Sequence, residues 1–183
     1  MAQKFEVSQW VPFRLELVLA FFASPSDLPL LMPPQLEARI EESNLVAPTA
    51  RPPLPPLVGN LPSTAAGRGS EILISFRPFG WPRMRMKSKV RITEFEWNSH
   101  FCDEQIQGPF ERFEHCHTTS AEVRRGKLGT LVTDAIEYSL PFGVVGNLGN
   151  AIVRRKLEET FAHRQKRLPE VLTAVVRLAE QCG

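Results

Sequence analysis

The sequence has few of the features that would assign a chemistry directly. Its 183 residues include only three cysteines, Cys102, Cys116 and Cys182, and none belongs to a C-x-x-C pair. We therefore expect a cytoplasmic protein with free thiols, in which Cys116 is an inert packing residue. The sequence has no P-loop, nucleophile elbow, dinucleotide-binding glycine fingerprint or H-E-x-x-H helix, and we predict no cofactor.

Charge and hydropathy exclude further classes. The net charge of +2 is close to neutral, so nucleic acid is not a predicted partner. No apolar run reaches about 18 residues, so no membrane span is predicted. The beginning, MAQKFEVSQWV, lacks the basic segment and apolar core of a signal peptide. A hydrophobic content of 43% with 23% charged residues is ordinary for one globular domain, which we predict over 1–183.

The periodicity of the apolar residues predicts an α+β protein. Residues 4–11 alternate as a strand, and residues 12–28 show helical spacing that ends at Pro25, with a second short helix through Leu31. Further strands are predicted at 36–43, 69–78, 83–93, 99–107, 108–123 and 128–143. A long amphipathic helix follows, which Pro169 should kink or restart; its apolar stripe contains Val153, Leu157, Phe161, Leu168, Leu172 and Val175.

Two segments stand out from this pattern. Residues 46–67 contain six of the sixteen prolines, which predicts a loop that either covers the surface or closes a pocket mouth. Strand 83–93 carries cations on one face, which is either a solvated outer face or a docking stripe for an anionic surface: Arg83, Arg85, Lys87, Lys89 and Arg91. A turn at EFEWN (94–98) would then pair Ile92 with Phe101, Val90 with Asp103 and Lys89 with Glu104.

The tight turn at RRGK (124–127) sets the register of the last hairpin. If Arg125-Gly126 is the turn, Val123 lies opposite Leu128. Counting back, His117 lies opposite Asp134, His115 opposite Ile136, and Phe113 opposite Tyr138. A curved sheet must cover its apolar concave face, and only the long helix is large enough to do so. The predicted wall is apolar with a small polar set: Asp103, His115, His117, Asp134 and Tyr138.

This polar set has four interpretations. His117 and Asp134 can form a structural pair, because a buried carboxylate needs a partner. They can orient the polar end of a ligand, or act as base and orienter with Tyr138 as acid on a carbonyl compound. Two histidines with one carboxylate can also hold a metal, but nothing else in the sequence supports this, and we predict no metal site.

These residues carry a resemblance to a known family. The segments FCDEQIQGPFERFEHCH (101–117), TDAIEYSLPFG (133–143) and LEETFAHR (157–164) resemble the SRPBCC superfamily, the START/Bet v 1-like proteins, and within it a mostly bacterial group related to polyketide cyclase/dehydrase-type and coenzyme-Q-binding proteins. The resemblance implies a helix-grip fold: a curved antiparallel sheet around a long C-terminal helix, with two short helices after the first strand. It also implies a cavity for lipids, polyketides, sterol-like molecules or quinones.

The combined expectation is a binder, without catalysis, of a hydrophobic small molecule such as a lipid, polyketide or quinone. The alternatives are a cyclase or dehydratase that uses His117, Asp134 and Tyr138, and a module that docks on anionic surfaces through Arg85, Lys87, Lys89 and Arg91. The expected ligand-binding residues are Met84, Met86, Phe101, Asp103, Phe113, His115, His117, Asp134, Ile136 and Tyr138.

Overall fold

A computed structural model gives the fold, and it describes residues 2–49, 65–78, 84–141 and 146–182, without the side chains at 146–148, 179–180 and 182. The predicted proline-rich loop at 46–67 therefore lies mostly outside the described residues. Strand β1 (Gln3–Val11) is followed by helix α1 (Leu15–Phe22), a 3-10 turn (Pro25–Asp27), helix α2 (Leu28–Leu31) and a second 3-10 turn (Pro34–Leu36). The remaining elements are β2 (Arg39–Asn44), β3 (Glu71–Phe76), β4 (Met86–Glu96), β5 (His100–Gln107), β6 (Arg112–Arg124), β7 (Lys127–Ser139) and α3 (Gly146–Cys182).

The seven strands form one antiparallel sheet in the order β1-β7-β6-β5-β4-β3-β2. Strand β1 therefore closes against the last strand, while β2 to β7 follow one another as a meander. The side chains of β7 alternate strictly between buried and half-buried from Val132 to Ser139, as expected for a strand with one covered face. The predicted α+β class and the helix-grip arrangement are confirmed.

Helices α1 and α3 cover the concave face of the sheet. Val11 and Val132 pack with Val18 of α1 and with Leu168 and Leu172 of α3 in one core cluster. A second cluster joins α1 to β3, β4 and β5, and a third joins β1 and β7 to Phe161 of α3. Two helices thus cover the center of the concave face, and polar side chains on that face are shielded from water.

Helix α3 runs without a break through Pro169, so the predicted restart is wrong. Proline has no N–H, which leaves the carbonyl oxygen of Gln165 without its helical donor. The side-chain amide of Gln9 on β1 supplies one, with Nε2 donating to that oxygen at 2.6 Å. The Nε2 of Gln165 in turn donates to the carbonyl of Ser8 at 3.2 Å, so β1 and α3 are joined where proline interrupts the helix ladder.

The β4–β5 hairpin differs from its predicted register. Strand β4 continues through the predicted turn to Glu96, and residues 97–99 form the turn, with Asn98 at φ 61°. Ile92 therefore pairs with Asp103 rather than with Phe101. The partners of Val90 and Lys89 are Gln105 and Gln107. The partner of Ile92 moves by two residues, and two residues is the side-chain period of a strand, so Phe101 and Asp103 keep the predicted face.

Strand β2 also begins later than predicted. The segment Pro34–Leu36 forms a 3-10 turn, and Glu37 adopts the left-handed conformation at φ 41°. The strand therefore starts at Arg39, and Leu36 lies outside the sheet. Neither the 3-10 turn at Pro25–Asp27 nor helix α2 has a side-chain cap.

Candidate functional site

The register of the β6–β7 hairpin is the one predicted from its turn. Val123 pairs with Leu128, His117 with Asp134, His115 with Ile136, and Phe113 with Tyr138. Gly126 adopts φ 75° and Arg125 φ 51°, the left-handed pair that such a two-residue turn requires. The turn at the end of the hairpin therefore decides which side chains meet in the middle of the sheet.

A buried ionic cluster occupies that position, and Asp134 is its center. Three donors converge on the carboxylate oxygen Oδ1 of Asp134: His117 Nδ1 at 2.6 Å, His115 Nε2 at 3.1 Å and Arg164 Nη2 at 3.1 Å. Asp134 is only 5% exposed and Arg164 only 7%. Burial alone raises the pKa of Asp134, but the Arg164 charge and the histidine hydrogen bonds hold it well below its ordinary value.

Arg164 was not among the predicted site residues. It belongs to α3 and lies three residues after Phe161 and four before Leu168, so it interrupts the apolar stripe that was predicted to face the sheet. A cation at such a position needs a buried acidic partner, which is the signal that could have identified it. Its guanidinium lies 4.4 Å from the ring center of Phe22 and 5.2 Å from that of Phe161, so aromatic faces complete its surroundings.

His117 is held as a neutral imidazole. Burial lowers its pKa to about 3, the neighbouring His115 contributes in the same direction, and Asp134 opposes the change. His117 Nδ1 lies 2.6 Å from Asp134 Oδ1 and 3.2 Å from Arg164 Nη2. Two acceptors repel each other at 2.6 Å, so we assign the proton to Nδ1, which donates to Asp134, and the lone pair to Nε2. The ring lies between Phe101 and Phe22, with center-to-center distances of 4.4 and 5.6 Å.

Asp103 pairs with His115 across β5 and β6, next to the ionic cluster. Burial raises its pKa to about 6, against the opposing effect of His115. Within the part of the chain that the structure describes, no hydrogen bond or ion pair involves the Asp103 carboxylate. Asp103, His115 and His117 each offer a ligand atom, and these atoms lie within 4.8 Å of one another. An acidic group without a partner thus lies beside two imidazoles.

The other predicted site residues lie on the same face or at its edge. Phe101 and Ile136 are buried in the core, and Phe113 packs against Phe110 at a ring distance of 5.0 Å. Tyr138 is buried, but its hydroxyl faces the carbonyl of Asn150 at 3.5 Å. Tyr138 lies four residues along β7 from Asp134, a distance of about 13 Å. The structure therefore separates Tyr138 from Asp134 and from its partner His117.

Met84 and Met86 lie away from the cluster, at the beginning of β4. Met84 precedes this strand and is 38% exposed, and Met86 is its first residue, opposite Phe76 of β3. The residue of β4 that pairs with Asp103 is Ile92, and Met86 lies about 20 Å before it along the strand. The two methionines therefore contact a different part of the molecule from the one that holds Asp134.

The cavity beside the ionic cluster is small. It lies next to Asp134 and Arg164 and has a volume of about 10 Å³, room for about one water molecule. Pockets for small organic ligands measure about 300 to 1,000 Å³. A ligand can therefore occupy this position only if side chains or helices move away from the sheet.

Most cations of the predicted basic stripe already have acidic partners. Arg85 is paired with Glu37 at 3.3 Å, and Lys89 and Arg91 are paired with Glu71 at 2.6 and 2.7 Å. Arg85 also donates to the hydroxyl of Ser75 at 2.8 Å. Arg83 lies outside the described residues. The predicted neutralisation of Lys89 occurs, but Glu71 on β3 provides it instead of Glu104.

The expectation of free thiols is wrong for two of the three cysteines. Cys102 and Cys116 are directly opposed on β5 and β6, their Cα atoms are 4.1 Å apart, and they form a disulfide. The sequence did not reveal this pair because the β5–β6 register cannot be read from the connection between them. The disulfide lies behind Phe101 and Asp103, and it ties together the two strands that carry the histidines and Asp103.

Several proteins of known structure share this architecture. TTHA0849 from Thermus thermophilus superposes with a TM-score of 0.61 at 18% identity, over 94% of this chain and 98% of that chain. Major latex-like protein 151 from Panax ginseng superposes with a TM-score of 0.61 at 12% identity, over 92% of this chain and 96% of that chain. Ara h 8.0201 superposes with a TM-score of 0.55 at 12% identity, over 91% of this chain and 97% of that chain. No protein-family model matches the sequence, and no curated protein does.

None of the helices in the described residues is long and apolar enough to cross a membrane.

At these identities the likeness to the three structures concerns the fold. The seven-stranded antiparallel sheet, the short helices after β1 and the long C-terminal helix agree with those structures over more than nine-tenths of the chain. The chain therefore has the helix-grip fold that its sequence segments predicted, and it shares this fold with these structures.

Proposed function

We propose that the protein binds a hydrophobic small molecule that carries one polar group, with that group at Asp103 and His115. The observation that carries the proposal is the half-buried Asp103 carboxylate without a described partner, beside a fully bonded ionic cluster and between aromatic rings. A half-buried ionisable side chain without a hydrogen-bond or ion-pair partner is typical of a binding site, because in a purely structural core it would only lower the stability of the fold. The fold fits hydrophobic ligand binding in general.

The aromatic side chains around this position supply the apolar contacts. The ring of His115 lies 6.4 Å from that of Phe113 and 5.9 Å from that of Phe161, both in edge-to-face orientation. Phe101 borders the same region through its stack with His117. A ligand that buries about 200 Å² of apolar surface against these rings would gain about 5 kcal/mol, from which the cost of opening the packed interior is subtracted.

We propose binding without catalysis. A cyclase or dehydratase would need His117, Asp134 and Tyr138 around one substrate atom, and Tyr138 instead meets Asn150 at the start of α3. His117 is also buried, and the rings of Phe101 and Phe22 stack on its ring. Lipids, polyketides and quinones all combine an apolar body with few polar atoms, so each remains within the proposed ligand class.

Two further predictions stay open. Docking on an anionic surface through Arg85, Lys87, Lys89 and Arg91 is weakened by the ion pairs to Glu37 and Glu71, because paired cations attract anions less strongly. Salt-sensitive binding to anionic vesicles would support it.

The cytoplasmic location is opposed by the disulfide, since disulfides persist mainly in oxidising compartments. Alkylation of thiols in freshly lysed cells would show the state of this pair.

The test of ligand binding uses a neutral fluorescent probe with a single donor, N-phenyl-1-naphthylamine. We expect saturable binding at one site per chain in the presence of EDTA, and weaker binding to Asp103→Ala. The matched control is Glu104→Ala, which removes the same charge from the adjacent residue on the outer face of β5. Absence of saturable binding, or equal weakening by both variants, would exclude the proposed site. Extraction of the purified protein followed by mass spectrometry would identify any retained molecule.

A further inference from the structure

We propose that Asp103, His115 and His117 bind a divalent transition-metal ion, contrary to the expectation from the sequence alone. The sequence predicted His117 opposite Asp134 and Asp103 on the same face. In the structure three donors already contact Asp134, and one ligand atom from each of Asp103, His115 and His117 lies within 4.8 Å of the others. Two imidazoles and one carboxylate are a ligand set that suits zinc, iron, nickel or copper.

The hydrogen bonds of the histidines leave a nitrogen lone pair on each ring. His115 Nε2 and His117 Nδ1 both contact Asp134 Oδ1, and each donates its N–H to that oxygen. The nitrogen that can coordinate a cation is then the other one on each ring, His115 Nδ1 and His117 Nε2. Histidines that bind metals almost always donate their second N–H to a carboxylate or carbonyl, which fixes the ring and strengthens the ligand. Asp134 has that role for both rings.

The charges of the cluster also favour one added cation. The Arg164 guanidinium lies 3.1 Å from Asp134 and balances its charge. In the described chain no cation forms an ion pair with Asp103, so its carboxylate lies beside two imidazole rings without a cationic partner. A bound divalent ion would neutralise it and give the Asp103 carboxylate a direct partner.

The three ligands lie on rigid and accessible elements. Asp103 and His115 are opposed on β5 and β6, His117 follows two residues later on the same face, and the disulfide Cys102–Cys116 ties the two strands together. The His115 side chain is 13% exposed, so an ion can reach the site from solvent. Three protein ligands leave at least one coordination position open. Metal binding does not depend on the proposed function, in which the polar group of the ligand contacts Asp103 and His115 directly.

The experiment is a titration of EDTA-treated, disulfide-intact protein with Zn²⁺ by calorimetry and with Co²⁺ by visible absorption, without any organic ligand. We expect one ion per chain, with d–d bands of nitrogen and oxygen ligation. Asp103→Asn should weaken binding by at least about tenfold, the loss that removal of even an outer-shell partner produces. Glu104→Gln removes the same charge from the outer face and should bind as the wild type does.

A second control variant distinguishes this site from adventitious binding by other histidines. His100→Ala removes an imidazole at the start of β5, three residues before Asp103 and near Glu94, and should leave the stoichiometry and affinity unchanged. Circular dichroism of each variant confirms that it is folded. Binding that Asp103→Asn leaves intact, binding that His100→Ala abolishes, or no binding up to millimolar metal would overturn the proposal. Since the probe titration is performed in EDTA, its outcome and that of the metal titration are independent.

Discussion

Replacing Asp134 by Asn should destabilise the protein strongly, because it removes the only acidic partner that the described part of the chain provides for Arg164. The two side chains are 5% and 7% exposed, and Oδ1 accepts from Arg164 and both histidines. Asparagine keeps the shape but removes the charge, so a buried guanidinium remains without compensation. Breaking a buried pair in this way costs about 3 to 5 kcal/mol. For a domain of this size that corresponds to a fall in Tm of roughly 6 to 20 °C.

The measurement is urea unfolding followed by tryptophan fluorescence and circular dichroism. Glu137→Gln is the matched control, because Glu137 lies three residues later on the outer face of β7 and pairs with the exposed Lys4 at 3.7 Å; its loss should stay within about 0.5 kcal/mol. In the double variant with Arg164→Met the cost should be clearly less than the sum of the two single costs. A loss below about 1 kcal/mol for Asp134→Asn, or additive costs, would refute the ionic-cluster reasoning.

The remaining predictions concern β1, α3 and the titrating groups. Gln9→Ala should cost about 1 to 2 kcal/mol in urea unfolding, because the carbonyl of Gln165 loses its donor; the cost should shrink in Pro169→Ala, where the helix regains an N–H, and an unchanged cost would contradict this explanation. The pKa of His117 is lowered to about 3, so the stability that it contributes is complete above pH 6.5 and is lost as pH falls towards 3. The pKa of Asp103 is raised to about 6, so its protonation stabilises the fold as pH falls from 6 to 4. Asp103→Asn removes the carboxylate that takes up this proton, so its free energy of unfolding in EDTA should fall more steeply than that of the wild type over that interval. Parallel pH profiles would show that Asp103 titrates normally.

The agreement between prediction and structure is closest where a local signal sets a long-range pairing. The turn at Arg125-Gly126 specified the partner of His117 correctly, because a two-residue hairpin turn leaves a single register. The predicted partner of Ile92 in the β4–β5 hairpin was wrong by two residues. The turn uses Asn98 in the left-handed conformation, and strand β4 continues to Glu96. Both hairpins nevertheless placed the correct face inward, because a two-residue shift restores the side-chain direction.

Contacts between elements that are distant along the chain were beyond such reasoning. Cys102 and Cys116 face each other only because β5 and β6 pair in one particular register, and counting cysteines could not reveal it. Arg164 was visible as a cation within an apolar stripe, but its partner depends on how α3 lies across the sheet. Asp103 was predicted on the correct face, yet its lack of a partner among the described residues depends on every side chain around it.

The sequence by itself determined the order of the elements, the inward face of each strand around the site, and the pairing of His117 with Asp134, because these follow from side-chain period and turn geometry. Only the tertiary structure decided that Arg164 completes the cluster, that the cavity beside Asp134 measures about 10 Å³, and that ligand atoms of Asp103, His115 and His117 lie within 4.8 Å of one another. These features depend on the distances between side chains of separate elements. Such distances are set by close packing across the whole core, which no local pattern along one chain encodes.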